Sequence, residues 1–321
     1  MKHRLVTRSD FDGLVCAVLL RHLDLIGDIT FVHPKDVQDG TVDIGPDDIL
    51  TNLPYAPGAH LVFDHHHSET LRNAGDNMDD RTNHIIDAEA PSAARVIYDH
   101  FGGAARFPNV SDELMEAVDK ADSAQYDITD ILQPVGWTLM NFLMDSRTGL
   151  GRFRQFRISN YQLMMQLIDA CIDHQDVEEI LALPDVAERA ELFCEQQELF
   201  VDQLRRVSHL EGDVVVVDLR DEEVIYAGNR FMVYALFPEA RVSIHVIWGK
   251  QKLNTVFAVG KSILDRTSPT DIGSVMLQYG GGGHLAAGTC QVPHDESEQV
   301  LADIIAKVGA PRAAAMSSGA S

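Results

Sequence analysis

The chain has 321 residues, 45% of them hydrophobic and 23% charged. That is a soluble globular composition, long enough for one large domain or two ordinary ones and too apolar for a disordered or fibrous chain. With 49 acidic against 26 basic residues the formal charge is -23, which excludes a broad, sequence-independent grip on duplex nucleic acid but leaves room for a small anionic substrate in a local cationic or metal-containing pocket.

Residues 3–8 (HRLVTR) predict a short apolar strand that ends at Ser9-Asp10-Phe11-Asp12-Gly13, and a helix, LVCAVLLRHLDLIG, follows at once. Further strands are expected at 29–34 and 60–66, and helices at 92–101 and 112–120, the first capped by Ser92. Strands alternating with helices argue for a layered α/β domain with a mostly parallel sheet, in which ligands gather at the carboxyl ends of strands. Asp10, Asp12 and Asp64 to His66 fall at such ends. From 134 to 208 the chain reads as mainly helical, with apolar residues three and four apart, and the run 188–206 is a connecting helix.

Beyond Gly212 the pattern changes. Strands are expected at 214–218, 223–228, 241–249 and 253–260, the last two as a hairpin, with helices near 230–237 and 271–279. The expected organisation is an N-terminal domain over 1–190, a connecting helix over 191–211, a smaller α/β domain over 212–310 and a mobile tail over 311–321. Cys16, Cys171, Cys194 and Cys290 have no paired close spacing, so neither a disulfide scaffold nor a structural zinc cluster is expected. The opening MKHRLVTRSDFDG reaches charged residues too soon for a signal peptide, and no apolar run attains the roughly 18 residues of a membrane span. A cytoplasmic protein without a membrane partner is the expectation.

Four stretches carry chemistry. Asp10-Phe11-Asp12-Gly13 places two carboxylates at a strand end, where they can flank a metal; equally, one can cap the helix and the other face water. Asp64-His65-His66-His67-Ser68-Glu69 follows an apolar strand, and imidazole beside carboxylate suits Mn2+, Mg2+ or Fe2+; a solvated loop is the alternative. Asp119-Lys120-Ala121-Asp122-Ser123 closes a helix, where charged residues are common. Gly280-Gly281-Gly282-Gly283-His284, continuing Leu285-Ala286-Ala287-Gly288, can offer backbone N-H groups to an anion before a helix-like start, or be a flexible surface turn.

In this order, the four stretches resemble the Asp-His-His family of phosphoesterases with its associated C-terminal substrate-binding domain, and the resemblance covers nearly the whole chain. The most similar members are those described as exopolyphosphatase-related or as oligonucleotide and cyclic-dinucleotide phosphodiesterases. The resemblance implies two divalent ions, Mn2+ or Mg2+, at the junction of the two domains. It places Asp10 on one metal and Asp12, His65 and Asp122 on the other, His66 on the scissile phosphate, and Asp64 behind the histidines. Gly281, Gly282, Gly283 and His284 would bind substrate phosphate, with Arg230 and Arg266 as further candidates beside a structural reading for each.

Two positions depart from the family pattern. Arg8 stands where a metal-binding His or Asp is expected, and Asn52 where a carboxylate bridges both metals. An amide oxygen is a weaker ligand than a carboxylate, and a permanently charged guanidinium is not a ligand at all. Arg8 could instead bind phosphate directly. Asp47 and Asp48 precede the strand and are not replacements, while His67 could compensate.

The function expected is metal-dependent hydrolysis of a small phosphoester or phosphoanhydride by in-line attack of metal-bound hydroxide. The substrate would be a short oligonucleotide, a cyclic dinucleotide or a polyphosphate. The alternative is a degenerate member that binds a phosphorylated ligand with little or no catalysis. A third reading, a structural protein that dimerises through the 188–206 helix, rests on an apolar stripe that intramolecular packing explains equally well. A dinucleotide-cofactor enzyme is disfavoured because no Gly-x-Gly-x-x-Gly follows the first strand.

Overall fold

The computed structural model describes residues 2–66, 81–173 and 176–309. His67, Ser68, Glu69 and the tail over 311–321 lie outside the described residues. The chain divides into two compact units, residues 1–195 and 196–321.

In the first unit β1 (His3–Thr7), β2 (Ile26–Phe31), β3 (Asp48–Thr51), β4 (Leu61–Asp64) and β5 (His84–Ile86) form a parallel sheet of order β2-β1-β3-β4-β5. Leu5, Val6 and Thr7 are all buried, as are Ile49, Leu50 and Thr51. Such unbroken burial is what a parallel sheet covered on both faces requires, and it explains why these strands read as apolar runs rather than as alternating patterns. One face packs Val6, Leu50 and Val62 against Val37, Ile44 and Tyr55.

The helices of this unit are α1 (Phe11–His22), α2 (Pro34–Gln38), α3 (Ala93–Phe101), α4 (Asp112–Asp122), α5 (Ile128–Leu132), α6 (Gly136–Met144), α7 (Asn160–Asp173) and α8 (Val177–Leu181). Every residue of α1 from Phe11 to Leu20 is buried. A helix apolar on all sides has to sit inside, and α1 is surrounded by α3, α4 and α7. Ser92 caps α3 as its position suggests, its hydroxyl accepting from the Arg95 amide at 3.0 Å. Asp48 opens β3 and holds Arg4 through two hydrogen bonds of 2.7 Å, fastening the amino end of the sheet, far along the strand from Asn52.

The long helix α9 (Pro184–Val207) contains the division between the units. The second unit is a mixed sheet of order β10-β11-β9-β8-β7-β6, built from β6 (Ser208–Glu211), β7 (Val214–Asp218), β8 (Val242–Trp248), β9 (Thr255–Lys261), β10 (Gly282–Gly283) and β11 (Ala287–Val292). Only β7 and β8 run parallel. One face buries Val214, Val216, Ile244, Phe257 and Cys290 against α11 (Ile272–Leu277) and α12 (Ser297–Val308). A short α10 (Met232–Leu236) completes the unit.

Two expectations here are corrected. Residues 223–228 form no strand: Gln203 of α9 donates to the Val224 carbonyl at 2.7 Å and accepts from the Tyr226 amide at 3.1 Å, so a side chain takes the place of a neighbouring strand. The four-glycine run opens no helix either. Gly282 and Gly283 pair antiparallel with Thr289 and Gly288 in a tight hairpin. The glycines are needed for close approach: a Cβ on Gly281 would lie 2.1 Å from the Thr289 carbonyl oxygen, and one on Gly283 2.3 Å from that of Ala287.

Candidate functional site

The carboxyl ends of β1, β3 and β4, three adjacent strands, deliver the first unit's chemistry to one place. β1 leads through Arg8 into Asp10 and Asp12, β3 into Asn52, and β4 into Asp64, His65 and His66. The turn from β1 into α1 is tight because Gly13 sits against the Arg8 carbonyl; a Cβ there would be 2.1 Å from that oxygen.

Asp12, His65 and Asp122 each offer a ligand atom, and the three atoms lie within 4.8 Å of one another. Asp12 is buried, and its two oxygens accept from the amides of Ala93 at 3.1 Å and Ala94 at 2.8 Å, so the N-terminus of α3 fixes it. His65 Nδ1 is 3.3 Å from the Ala90 carbonyl, which directs Nε2 to the other side, 2.9 Å from Asp122 Oδ2. That Nε2 is buried and faces the Asp122 carboxylate. Asp122 is the last residue of α4.

The electrostatics are those of a site with too much negative charge. Burial pushes Asp12 up to about 7, and the Asp122 charge adds to it. Burial works against a charged His65 as well, but Asp122, Asp12 and Asp64 overcome it and raise the imidazole to about 9. Burial likewise disfavours the Asp122 carboxylate, and His65 more than compensates, holding it below its ordinary value. Two carboxylates and an imidazole nitrogen converging on one point, with an excess of negative charge, fit a divalent cation of the Mn2+ or Mg2+ kind, which would take the place of the proton on His65.

Asp64 is fully buried, and its Oδ1 accepts from His66 Nδ1 at 2.7 Å and from the His65 amide at 2.9 Å. This carboxylate sets the ring orientation of His66, as a carboxylate behind a catalytic or ligating histidine does. Asp10 forms a separate group. It is the N-cap of α1, Oδ1 accepting from the Gly13 amide at 3.0 Å and from Asn52 Nδ2 at 3.3 Å, while Oδ2 is 3.0 Å from Arg8 Nε. Burial raises its pKa, against the pull of Arg8. Asn52 has φ +55°, a left-handed conformation that asparagine tolerates, and its buried Oδ1 makes no hydrogen bond.

Asp119 belongs to the scaffold: it accepts from Ser92 Oγ at 2.7 Å and Arg95 Nε at 2.9 Å, joining α4 to α3. Sequence reasoning missed Arg147. It lies in the 3-10 turn Ser146–Thr148, donates to Asp145 Oδ1 at 2.7 Å, and its charge reaches Asp10 and Asp122. No motif surrounds it, and only the fold brings it there.

The second unit holds the remaining candidates. The Gly281 amide donates to the Met276 carbonyl at 3.0 Å, closing the end of α11, and the His284 amide to that of Ala287 at 2.7 Å, within the hairpin, so both N-H groups are already engaged. The His284 side chain is exposed. Arg230 stacks on Phe231, 4.1 Å from the ring centre, and its charge, after burial, helps to push His245 down to about 4. Arg266 is exposed on a turn, Nε donating to the Ile263 carbonyl at 3.2 Å.

Among solved structures, the pGpG-specific phosphodiesterase PggH from Vibrio cholerae is 56% identical, with a TM-score of 0.82 over 96% of this chain and 99% of that chain. CDC45 from Entamoeba histolytica is 11% identical, with a TM-score of 0.49 over 94% of each chain. An uncharacterized protein from Helicobacter pylori G27 is 10% identical, with a TM-score of 0.30 over 96% of this chain and 99% of that one. No family model and no curated protein matches the chain. Among the described residues no helix is long and apolar enough to cross a membrane.

Proposed function

The chain belongs to the Asp-His-His family of phosphoesterases, and from that premise we propose that it is a metal-dependent phosphodiesterase acting on a short linear dinucleotide of the pGpG type. The observation that carries this reading is the convergence of Asp12, His65 and Asp122 in a chain 56% identical to a pGpG-specific phosphodiesterase. The oligonucleotide reading is thereby favoured over polyphosphate. The net charge of -23 supports a short substrate as well, since a long polyanion would be repelled.

Asp12, His65 and Asp122 would hold the ion. When bound, it lowers the pKa of a water molecule and neutralises charge on the phosphoryl oxygens. Asp64 keeps the His66 Nδ1-H engaged, so the opposite nitrogen is the one presented to the scissile phosphate. In the reaction the oxygen of water bonds to phosphorus, the P–O bond to the 3′ oxygen breaks, and that oxygen leaves with a proton; a pGpG substrate gives two molecules of GMP. In the second unit His284, Arg230 and Arg266 are the candidates for the terminal phosphate, with Gly282, whose Cβ side is open, allowing it close to the backbone. A cytoplasmic location and a homodimer remain expectations of the same reading.

The test is release of GMP from pGpG by the purified protein with Mn2+ or Mg2+, beside pApA, a longer oligonucleotide, a cyclic dinucleotide and polyphosphate. Rapid cleavage of pGpG that EDTA abolishes supports the proposal. Tight binding of pGpG with no product under any metal replaces it with the binding-only alternative, which the Arg8 and Asn52 contacts to Asp10 favour.

A further inference from the structure

We infer that the chain holds one divalent ion, at Asp12, His65 and Asp122, and that Arg8 and Arg147 supply as fixed guanidinium charge what a second ion would supply beside Asp10. This rests on the phosphodiesterase reading of the same site and specifies how it binds phosphate.

The residues around Asp10 do not fit a metal. Both of its oxygens already face hydrogen donors: the Gly13 amide and Asn52 Nδ2 on Oδ1, Arg8 Nε on Oδ2. A carboxylate that caps a helix and neutralises a guanidinium has little charge left for a cation. Asn52 meets Asp10 with its amide N-H rather than with an oxygen, so it acts there as a donor. A divalent ion at Asp10 would sit within a few ångströms of the Arg8 charge, which cannot be shed at neutral pH.

The same features suit a phosphate. Arg8 and Asp10 line a cavity of about 400 Å³ together with Asp145 and Ser146, the residues that hold and precede Arg147. Asp145 fixes the Arg147 guanidinium at 2.7 Å, and the Arg147 side chain is 56% exposed. Arg8 lines this cavity and Arg147 follows two of its lining residues; two guanidiniums, each anchored by its own carboxylate, would offer phosphoryl oxygens charge-assisted donors. Charge-assisted hydrogen bonds from these guanidiniums would give a phosphate there the positive charge that a second ion would otherwise give.

The ion count tests this without activity. Mn2+ per chain is measured by equilibrium dialysis and by electron paramagnetic resonance on the wild type, on Asp122→Asn and on the double variant Arg8→His with Asn52→Asp. One ion is expected for the wild type, a loss of tight binding for Asp122→Asn, and a second ion with a spin-coupled spectrum for the double variant. Two ions of comparable affinity on the wild type would overturn the inference. Binding of pGpG in the presence of EDTA is the second readout: Arg8→Gln and Arg147→Gln are each expected to weaken it by about tenfold or more, as the loss of a hydrogen bond to a charged group does, and unchanged affinity in both would overturn this role for the two guanidiniums. If pGpG is not cleaved at all, both readouts still stand, so failure of the activity and failure of the inference are told apart.

Discussion

Asp64 Oδ1 accepts from His66 Nδ1 at 2.7 Å, although only one residue separates them. The contact is possible because Asp64 is the last residue of β4 and His66 lies just past the strand, where the chain is free to fold the ring back. In Asp64→Asn an amide replaces the carboxylate, and the preference for a proton on Nδ1 is lost. Turnover of pGpG is expected to fall about 10- to 100-fold, with Mn2+ affinity changed less than in Asp122→Asn. Steady-state kinetics beside metal titration checks this; equal losses in both would make Asp64 a support for the ion rather than for His66.

Asp119 and Asp122, one helical turn apart, are expected to behave oppositely. Asp119 ties Arg95 and Ser92 across two helices, so Asp119→Ala should cost about 2 kcal/mol of stability. Asp122→Asn removes a charge that works against Asp12 but also the carboxylate that keeps His65 charged, so the metal-free fold should lose less stability than in Asp119→Ala, while hydrolysis is lost. Urea unfolding of both variants in EDTA, read with activity in Mn2+, distinguishes them.

A bound ion should stabilise the protein by mass action, by about 2.7 kcal/mol at a free concentration a hundred times the dissociation constant. Adding Mn2+ is therefore expected to raise the melting temperature of the wild type and not that of Asp122→Asn. An equal rise in both would place the ion elsewhere.

Within the glycine hairpin the positions are not equivalent. Gly281→Ala drives a Cβ onto the Thr289 carbonyl, and a loss of about 2 to 3 kcal/mol is expected. Gly282→Ala meets nothing within 4 Å, so it should change stability by less than about 0.5 kcal/mol. A large activity loss in Gly282→Ala without a stability loss would mark that position as a substrate contact.

Burial first, and then the Arg230 charge, lower His245 to about 4. The unfolded chain takes up this proton near pH 6.5 and the folded chain does not, so stability is present above pH 6.5 and declines as pH falls towards 4. Between pH 7 and 5 this group is expected to contribute a loss on the order of 1 to 2 kcal/mol, the ring being only partly shielded. Chemical denaturation at the two pH values should show a smaller difference in His245→Gln than in the wild type.

Three local elements of the first unit were legible in the order of residues: β1 from its short apolar segment before Ser9, α1 from the run that follows Gly13, and α3 from Ser92. These signals are local because strand burial, caps and tight approaches leave residue types at fixed offsets. Asp10, Asp12, Arg8 and Asn52 could be named as site positions only through the resemblance of the ordered motifs to the Asp-His-His family. What belonged to the tertiary structure was who faces whom. Asp12 joins His65 and Asp122 because β1 and β4 end on the same side of a parallel sheet and α4 ends beside them; Asp10 turns instead to Arg8 and Asn52; and Arg147, which no motif announces, comes within range of Asp10 and Asp122. The misread segments follow the same division. Residues 223–228 carry a strand pattern but are claimed by Gln203 from a distant helix, and the glycine run is a hairpin because β11, later in the chain, supplies its partner. A linear pattern records each residue's own preference, whereas hydrogen-bond partners and charges meet through space, and their spacing along the chain carries no mark of it.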